Sequence, residues 1–317
     1  RRATVMPNYN GVWSLSTHYQ NVSGWPLPPL QGNVGLFFGI DDTIQFIFID
    51  TAGNSADFGD LTTNSNAAGA VASSTRAVRG GGNGSTPKII DFVTISSRGN
   101  AANFGDLTVD HLSGLAGCGS STRGLIAGGN ISSGHSNVIQ YVTIASEGDA
   151  TDFGNLATER SHPASFSSTT RGVWAGGNPT GSSTSDTIDY VTIANTGNTA
   201  DFGNLSAARD NQTGASSATR GLICCGKDAG GNNLNTIEYV TIANTGNTTD
   251  FGDAITAKKS RSAVSNSSRA VIAGGSNSTA SMEFVTIAST GNGTDFGDLV
   301  NAGSDKSGAS NSHGGLS

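Results

Sequence analysis

The chain has 317 residues, 45 of them glycine, and 17 Lys and Arg against 24 Asp and Glu give a formal net charge of −7. That balance excludes a general nucleic-acid binder, which needs a basic surface to displace counterions from phosphates. No apolar run approaches the roughly 18–20 residues of a membrane-spanning helix, so no membrane insertion is expected.

Arg1-Arg2 leads into polar residues rather than the apolar core of a signal peptide. The first residue is not Met, and the chain is expected to be a processed product or a fragment of something longer. Residues 1–33 form an N-terminal arm. Trp13, Leu15, Tyr19, Trp25 and Leu27 are too many large apolar groups for a free linker, and Pro26, Pro28 and Pro29 stiffen its end. The arm is expected to dock on another chain or domain of its assembly, with packing on the rest of this chain as the alternative.

From residue 34 one pattern is written six times. Its central phenylalanine recurs as Phe58, Phe104, Phe153, Phe202, Phe251 and Phe296, at intervals of 45 to 49 residues. A period of that length with strand-like content signals a repeat architecture. Each unit begins with a small polar stretch such as Thr213–Thr219, then an Arg-Gly step such as Arg220-Gly221, then a short apolar run ending in glycine. A variable loop leads to Ile-x-Tyr-Val-Thr-Ile, and Thr-Gly-Asn-x-x-Asp-Phe-Gly closes the unit. This predicts four short strands per unit, a to d. Strand c is apolar on both faces, Ile237 and Tyr239 pointing one way and Val240 and Ile242 the other, as in a strand covered on both sides.

Length variation is concentrated between the glycine pair and strand c, where the six copies hold 4, 7, 9, 10, 10 and 6 residues. Insertions confined to one loop per repeat map to one face of the array. The first unit lacks a strand a, and the last residues, Ser307 to Leu316, match one, with Gly314 aligned to the repeated Arg. The C-terminal strand is expected to complete the first unit and remove the open edges of the stack.

The order of strands and the pairs Gly81-Gly82, Gly128-Gly129, Gly176-Gly177 and Gly274-Gly275 resemble the kelch repeat over residues 34–317. The chain departs from that pattern at Cys225-Gly226 and Phe38-Gly39, and carries Phe where kelch blades usually have Trp. The fuller repeat, Thr-Arg-Gly-x-x-Ala-Gly-Gly with Tyr-Val-Thr-Ile-Ala-x-x-Gly-Asn-x-x-Asp-Phe-Gly, resembles repeats of structural and tail-fibre-like proteins of marine tailed phages. The leader Gly11-Val12-Trp13-Ser14-Leu15 with Tyr19 and Trp25-Pro26 resembles a segment of such proteins.

Three groups of residues could carry function. Arg76, Arg123, Arg171, Arg220 and Arg269 sit at the a–b turn, and Asp57, Asp152, Asp201, Asp250 and Asp295 follow the c–d turn at the same end. They are expected to form one Arg–carboxylate pair or turn-capping bond per blade. A ring of charges facing a ligand is the sharper alternative. The b–c loops are the recognition candidates, with His135, Asn178, Ser182, Asp186, Asp228, Asn232 and Asn233 suited to hydrogen bonding with sugars or a polar protein surface. The Asp and Asn of the c–d segment could bind calcium, but turn chemistry explains them as well, and no metal or cofactor is expected. Cys118, Cys224 and Cys225 form no disulfide framework; the adjacent pair, on opposite faces of a strand, is expected to pack between blades. The five histidines share no repeat position and no nucleophile–base pair is visible, so catalysis is not expected.

The resulting reading is all-β: a six-bladed kelch-like β-propeller, residues 34–317, closed by a C-terminal strand and preceded by the arm. The resemblance implies a non-catalytic phage virion protein, a tail-fibre, spike or capsid-surface component on the extracellular particle. Its implied partners are other virion proteins through the arm and a host surface glycan or protein through the b–c loops, with homo-oligomers expected by analogy with fibres. A cellular kelch-type scaffold or extracellular adhesin, and a carbohydrate-active propeller enzyme, stay open as alternatives.

Overall fold

A computed structural model describes residues 29–39, 41–180 and 183–316. The residues of the arm named above, Trp13, Leu15, Tyr19, Trp25 and Leu27, lie outside the described residues, as does Ser182. The described residues form a six-bladed β-propeller in which each blade is an antiparallel sheet with strand order a-b-c-d. Blade 1 consists of Ser307–Ser310, Val34–Phe38, Thr43–Phe48 and Ala56–Asp60. Blade 2 is Gly69–Ala72, Arg76–Gly80, Ile89–Thr94 and Ala102–Asp106. Blade 3 is Ser113–Gly119, Arg123–Ile131, Val138–Thr143 and Thr151–Asn155. Blade 4 is Ala164–Ser167, Arg171–Ala175, Ser185–Thr192 and Ala200–Arg209. Blade 5 is Thr213–Ser216, Arg220–Cys224, Thr236–Thr241 and Thr249–Asp253. Blade 6 is Ser262–Ser265, Arg269–Ala273, Ser281–Thr286 and Thr294–Asp298.

The six strands a contact one another in a closed circle around the axis. Closure is by the C-terminal strand, as expected: Gly35 pairs with Ser310 and Phe38 with Ser307. The alignment of Gly314 with the repeated arginines does not carry into space. Gly35 faces Ser310 as Ala270 faces Ser265, so Val34 takes the place of Arg269 in blade 1. Gly314 instead continues into the central channel, where its amide donates to the Ser216 carbonyl at 3.1 Å.

The core is divided into six apolar clusters, each filling the wedge between two blades. Strand c serves two clusters at once, as its sequence predicts. Ile237 and Tyr239 pack toward blade 6, whereas Val240 and Ile242 pack toward blade 4. Each repeated phenylalanine meets the strand-c aromatic of its own blade edge to face, as in Tyr239–Phe251 at 6.1 Å between centroids. Cys224 and Cys225 correct the expectation of opposite faces: both lie in the cluster between blades 5 and 6. Cys225 is past the end of its strand, at φ 63°, where four other blades have the first glycine of the pair. Burial raises the thiol of Cys118 to about 12, so it is an apolar filler rather than a nucleophile.

Candidate functional site

The repeated arginines do not pair with the repeated aspartates. Each guanidinium instead lies over the strand-c aromatic of its own blade, 4.1 to 4.5 Å from the ring centroid, at Phe92, Tyr141, Tyr190, Tyr239 and Phe284. Each also donates from Nη1 to an isoleucine carbonyl of the following blade, 2.8 Å long for Arg220 to Ile287 and 3.2 Å for Arg76 to Ile144. Arg123, Arg171 and Arg269 do the same to Ile193, Ile242 and Ile49. Cation–π contact plus a charge-assisted hydrogen bond makes these residues ties between blades. Asp57, Asp152, Asp201, Asp250 and Asp295 are exposed and form no ion pair with them. The reason is local: the next residue along strand d is the buried Phe, and alternation turns the Asp away from it. Blade 1 lacks the turn arginine, and Arg98 reaches over from blade 2 to cover Phe46 at 4.4 Å.

The c–d motif is likewise a clasp. The glycine of Gly-Asn donates its amide to the Phe carbonyl of the preceding blade at all six interfaces, from Gly53 to Phe296 through Gly291 to Phe251. The following Asn, or Asp149 in blade 3, accepts from the strand-d backbone through Oδ1, as Asn247 does from Asn204 at 3.0 Å. A side chain on the glycine of Asp-Phe-Gly would collide with that loop: a Cβ at Gly203 would lie 2.4 Å from the Gly246 oxygen. The motif thus covers the exposed edge of strand d with the neighbouring blade, one of the ways a sheet edge is protected. Among the described residues no group of three or more His, Cys, Asp or Glu is placed to hold a metal ion.

A second tie was missed in the sequence. The x of Ile-x-Tyr is Gln45, Asp91, Gln140, Asp189, Glu238 or Glu283, and all six are buried. Arg160 reaches Asp189 at 2.6 Å and Arg209 reaches Glu238 at 2.7 Å, while Arg261 pairs with Glu283. Thr62 donates to Asp91 at 2.6 Å, and Gln140 accepts from the backbone and hydroxyl of Thr108. In each case the end of strand d or the d–a connection of one blade is fastened to strand c of the next. Burial raises the Asp189 carboxyl and lowers the Arg160 guanidinium, each opposed by the other's charge. Such pairs are strongly destabilising to break although they gain little over apolar packing. The signal was present: an invariably polar x on the Val–Ile face of a strand buried on both sides, and Arg160, Arg209 and Arg261, each between the Phe of one repeat and the small polar stretch of the next.

The axis carries two further rings. At the b–c end, Ala67, Gly114, His162, Asn211, Ser260 and Asp305 all adopt left-handed backbone with φ between 53° and 71°. Each donates its amide to the carbonyl of the one before, from Ala67 to Asp305 round to Asp305 to Ser260, closing a circle of six hydrogen bonds 2.8 to 3.2 Å long. At the a–b end, the hydroxyls of Ser167, Ser216, Ser265 and Ser310 each donate to the carbonyl of the preceding blade. Blades 2 and 3 have Ala72 and Gly119 there instead. His313 fills that gap, its Nε2 2.9 Å from the Ala72 carbonyl while its Nδ1 accepts from Gly315. His313 and Gly314 therefore lie across that mouth of the channel.

The loop candidates are placed at the opposite end, on blades 3, 4 and 5. His135 Nδ1 is 2.7 Å from Asn130 Oδ1 within its own hairpin. Asn178 pairs with Ser161, and Asp186 is exposed in strand c of blade 4. Asp228 accepts from the backbone and side chain of Asn232 at 2.8 and 2.9 Å, and Asn233 reaches Ser276 of blade 6. These residues share one face of three adjacent blades but do not converge on a cavity, and none of them lines the channel. No family model matches the chain, and no curated protein matches it.

Proposed function

We propose that the chain is a non-catalytic binding scaffold whose recognition face is the b–c end of blades 3–5. One observation carries this: the repeated polar residues serve the ring itself, whereas the polar loops that vary in length are gathered at one end of it. The arginines, the Gly-Asn and Asp-Phe-Gly segments and the buried Asp and Glu all tie blade to blade. Recognition on a rigid scaffold is commonly assigned to such loops.

The finer reading is a tail-fibre, spike or capsid-surface component of a phage virion, and it rests on the resemblance of the repeats and the leader. On that reading residues 1–33 attach the propeller to other virion proteins. The b–c loops face a host surface glycan or protein, and copies of the chain associate on the particle surface. The test is glycan-array and whole-cell binding by the full chain, compared with variants shortened in loops 178–187 and 227–236. Binding that vanishes in the shortened variants supports a receptor-binding head. Binding retained in both variants moves recognition away from these loops, and no binding by a folded chain assigns the protein an architectural role.

A further inference from the structure

Inside the left-handed ring the channel is lined by a second set of six residues, one per blade: Ala68, Leu115, Pro163, Gln212, Arg261 and Lys306. Blades 2 to 4 contribute the apolar half and blades 5, 6 and 1 the polar half. Arg261 is occupied by Glu283. Lys306 is not occupied: it is 6% exposed, and its Nζ has no hydrogen-bond partner. Ser262 Oγ and Gln212 Oε1, which line the same chamber, are buried without partners too. The Gln212 amide nitrogen is used by the Ala175 carbonyl at 2.7 Å, which fixes its oxygen as a free acceptor.

The lone cation has an origin in the repeat. Four blades place an acid at the x position of strand c, but blade 1 has Gln45, a neutral group held by Ser55 and Asn301. The counter-ion that Arg261 finds in Glu283 is therefore missing for Lys306. The carboxylate of Asp41 acts on Lys306 from beyond ion-pair distance and is bonded to Thr43. A buried ammonium without a partner is unfavourable, and it is relieved by losing its proton or by gaining an anion. Burial does lower its proton affinity.

The chamber, about 110 Å³, continues into one of about 70 Å³ at the mouth ringed by His162, Asn211, Ser260 and Asp305. At the other end His313 and Gly314 bond across the channel to Ala72 and Ser216, so entry is from the b–c face. We propose that this chamber binds a small, singly charged oxygen anion that also carries a hydroxyl group, the class of dihydrogen phosphate and 2-hydroxy carboxylates. The charged oxygens accept from Lys306 Nζ and the Ser262 hydroxyl, and the ligand's own hydroxyl donates to Gln212 Oε1. Asp305 at the mouth disfavours higher charge, so a singly charged form is selected. The site is independent of whether the loops bind a partner.

The test uses the full chain in calorimetric titration and thermal melting with glycolate, dihydrogen phosphate, acetate and chloride at matched ionic strength. Glycolate and dihydrogen phosphate are expected to raise the melting midpoint and to bind about tenfold or more tightly than acetate, which lacks the hydroxyl. Lys306→Met should fold, melt no lower than the parent in chloride, and respond to none of the four. Ser262→Ala is a milder second variant and should weaken glycolate about tenfold. Equal shifts in the parent and Lys306→Met would show ionic-strength screening alone and overturn the proposal. A flat titration would do the same, leaving the three polar atoms to bridging water.

Discussion

Replacing Gly297 by Ala tests the clasp between blades 6 and 1. A Cβ there would stand 2.6 Å from both the carbonyl carbon and oxygen of Gly53, in a backbone with φ +136°. Backbone cannot move aside as a flexible side chain does, so the loop must lift. Three hydrogen bonds go with it: Gly53 to Phe296 at 2.7 Å, Ser55 to Asp298 at 2.9 Å, and Asp298 to Asn54 Oδ1 at 3.0 Å. At about 1 kcal/mol each, with about 1–2 kcal/mol for the left-handed backbone, the loss is about 4–5 kcal/mol. Gly53→Ala is the control at the same contact, because a Cβ on Gly53 meets nothing within 4 Å. It should cost less than about 1 kcal/mol. Urea unfolding followed by fluorescence gives both values. Equal losses for the two variants, or a loss under about 1 kcal/mol for Gly297→Ala, would refute the back-to-back glycine contact as the basis of the repeat.

Arg220→Ala removes the stack on Tyr239 and the bond to Ile287, and should cost about 2 kcal/mol, whereas Asp250→Ala should change stability by less than about 0.5 kcal/mol. Similar losses in both single variants, with coupling in the double variant, would restore the Arg–Asp pair. His111 is fully buried, with Nε2 3.0 Å from the Gln140 amide nitrogen, and burial lowers it from 6.5 to about 4. The unfolded chain takes up this proton first, so stability present above pH 6.5 is lost as pH falls toward about 4, by roughly 1.4 kcal/mol per pH unit. Urea midpoints at several pH values should therefore drop less steeply in His111→Gln, and an unchanged slope would show that His111 does not contribute.

Much of the fold could be read from residue pattern because a propeller repeats its packing. The two-sided strand c, the regular phenylalanines and the orphan strand at the C-terminus each describe a local burial problem with one solution, and the sheets solve it that way. Side-chain directions at the turns were less legible. The a–b arginines and c–d aspartates do come to the same end of a blade, but sharing an end does not set side-chain direction. Alternation past the buried Phe already excluded the pair. Glu238 and its equivalents were hidden inside a strand described as apolar, although a polar residue on the Val240 face has to be buried. The ring of left-handed residues was not legible, since Ala67, His162, Asn211, Ser260 and Asp305 have no residue type in common. Their shared conformation comes from six-fold closure of the backbone. Lys306 could be interpreted only once Gln45 was seen to stand where four other blades carry an acid.

The way the ring closes also sets its mechanical behaviour. Gly35 lies opposite Ser310, so Val34 and Ser310 emerge at the same end of the closing strand pair. A pull applied between these two points would not shear the pair along its length. It would load one hydrogen bond at a time and peel the closing strand off like a zip, the weak direction for a β-ribbon. Tension drawn from one side of blade 1 alone, through Pro29 to Asn33, would spare that seam. A propeller of this design is therefore strong as a tethered head and weak as a link in a chain.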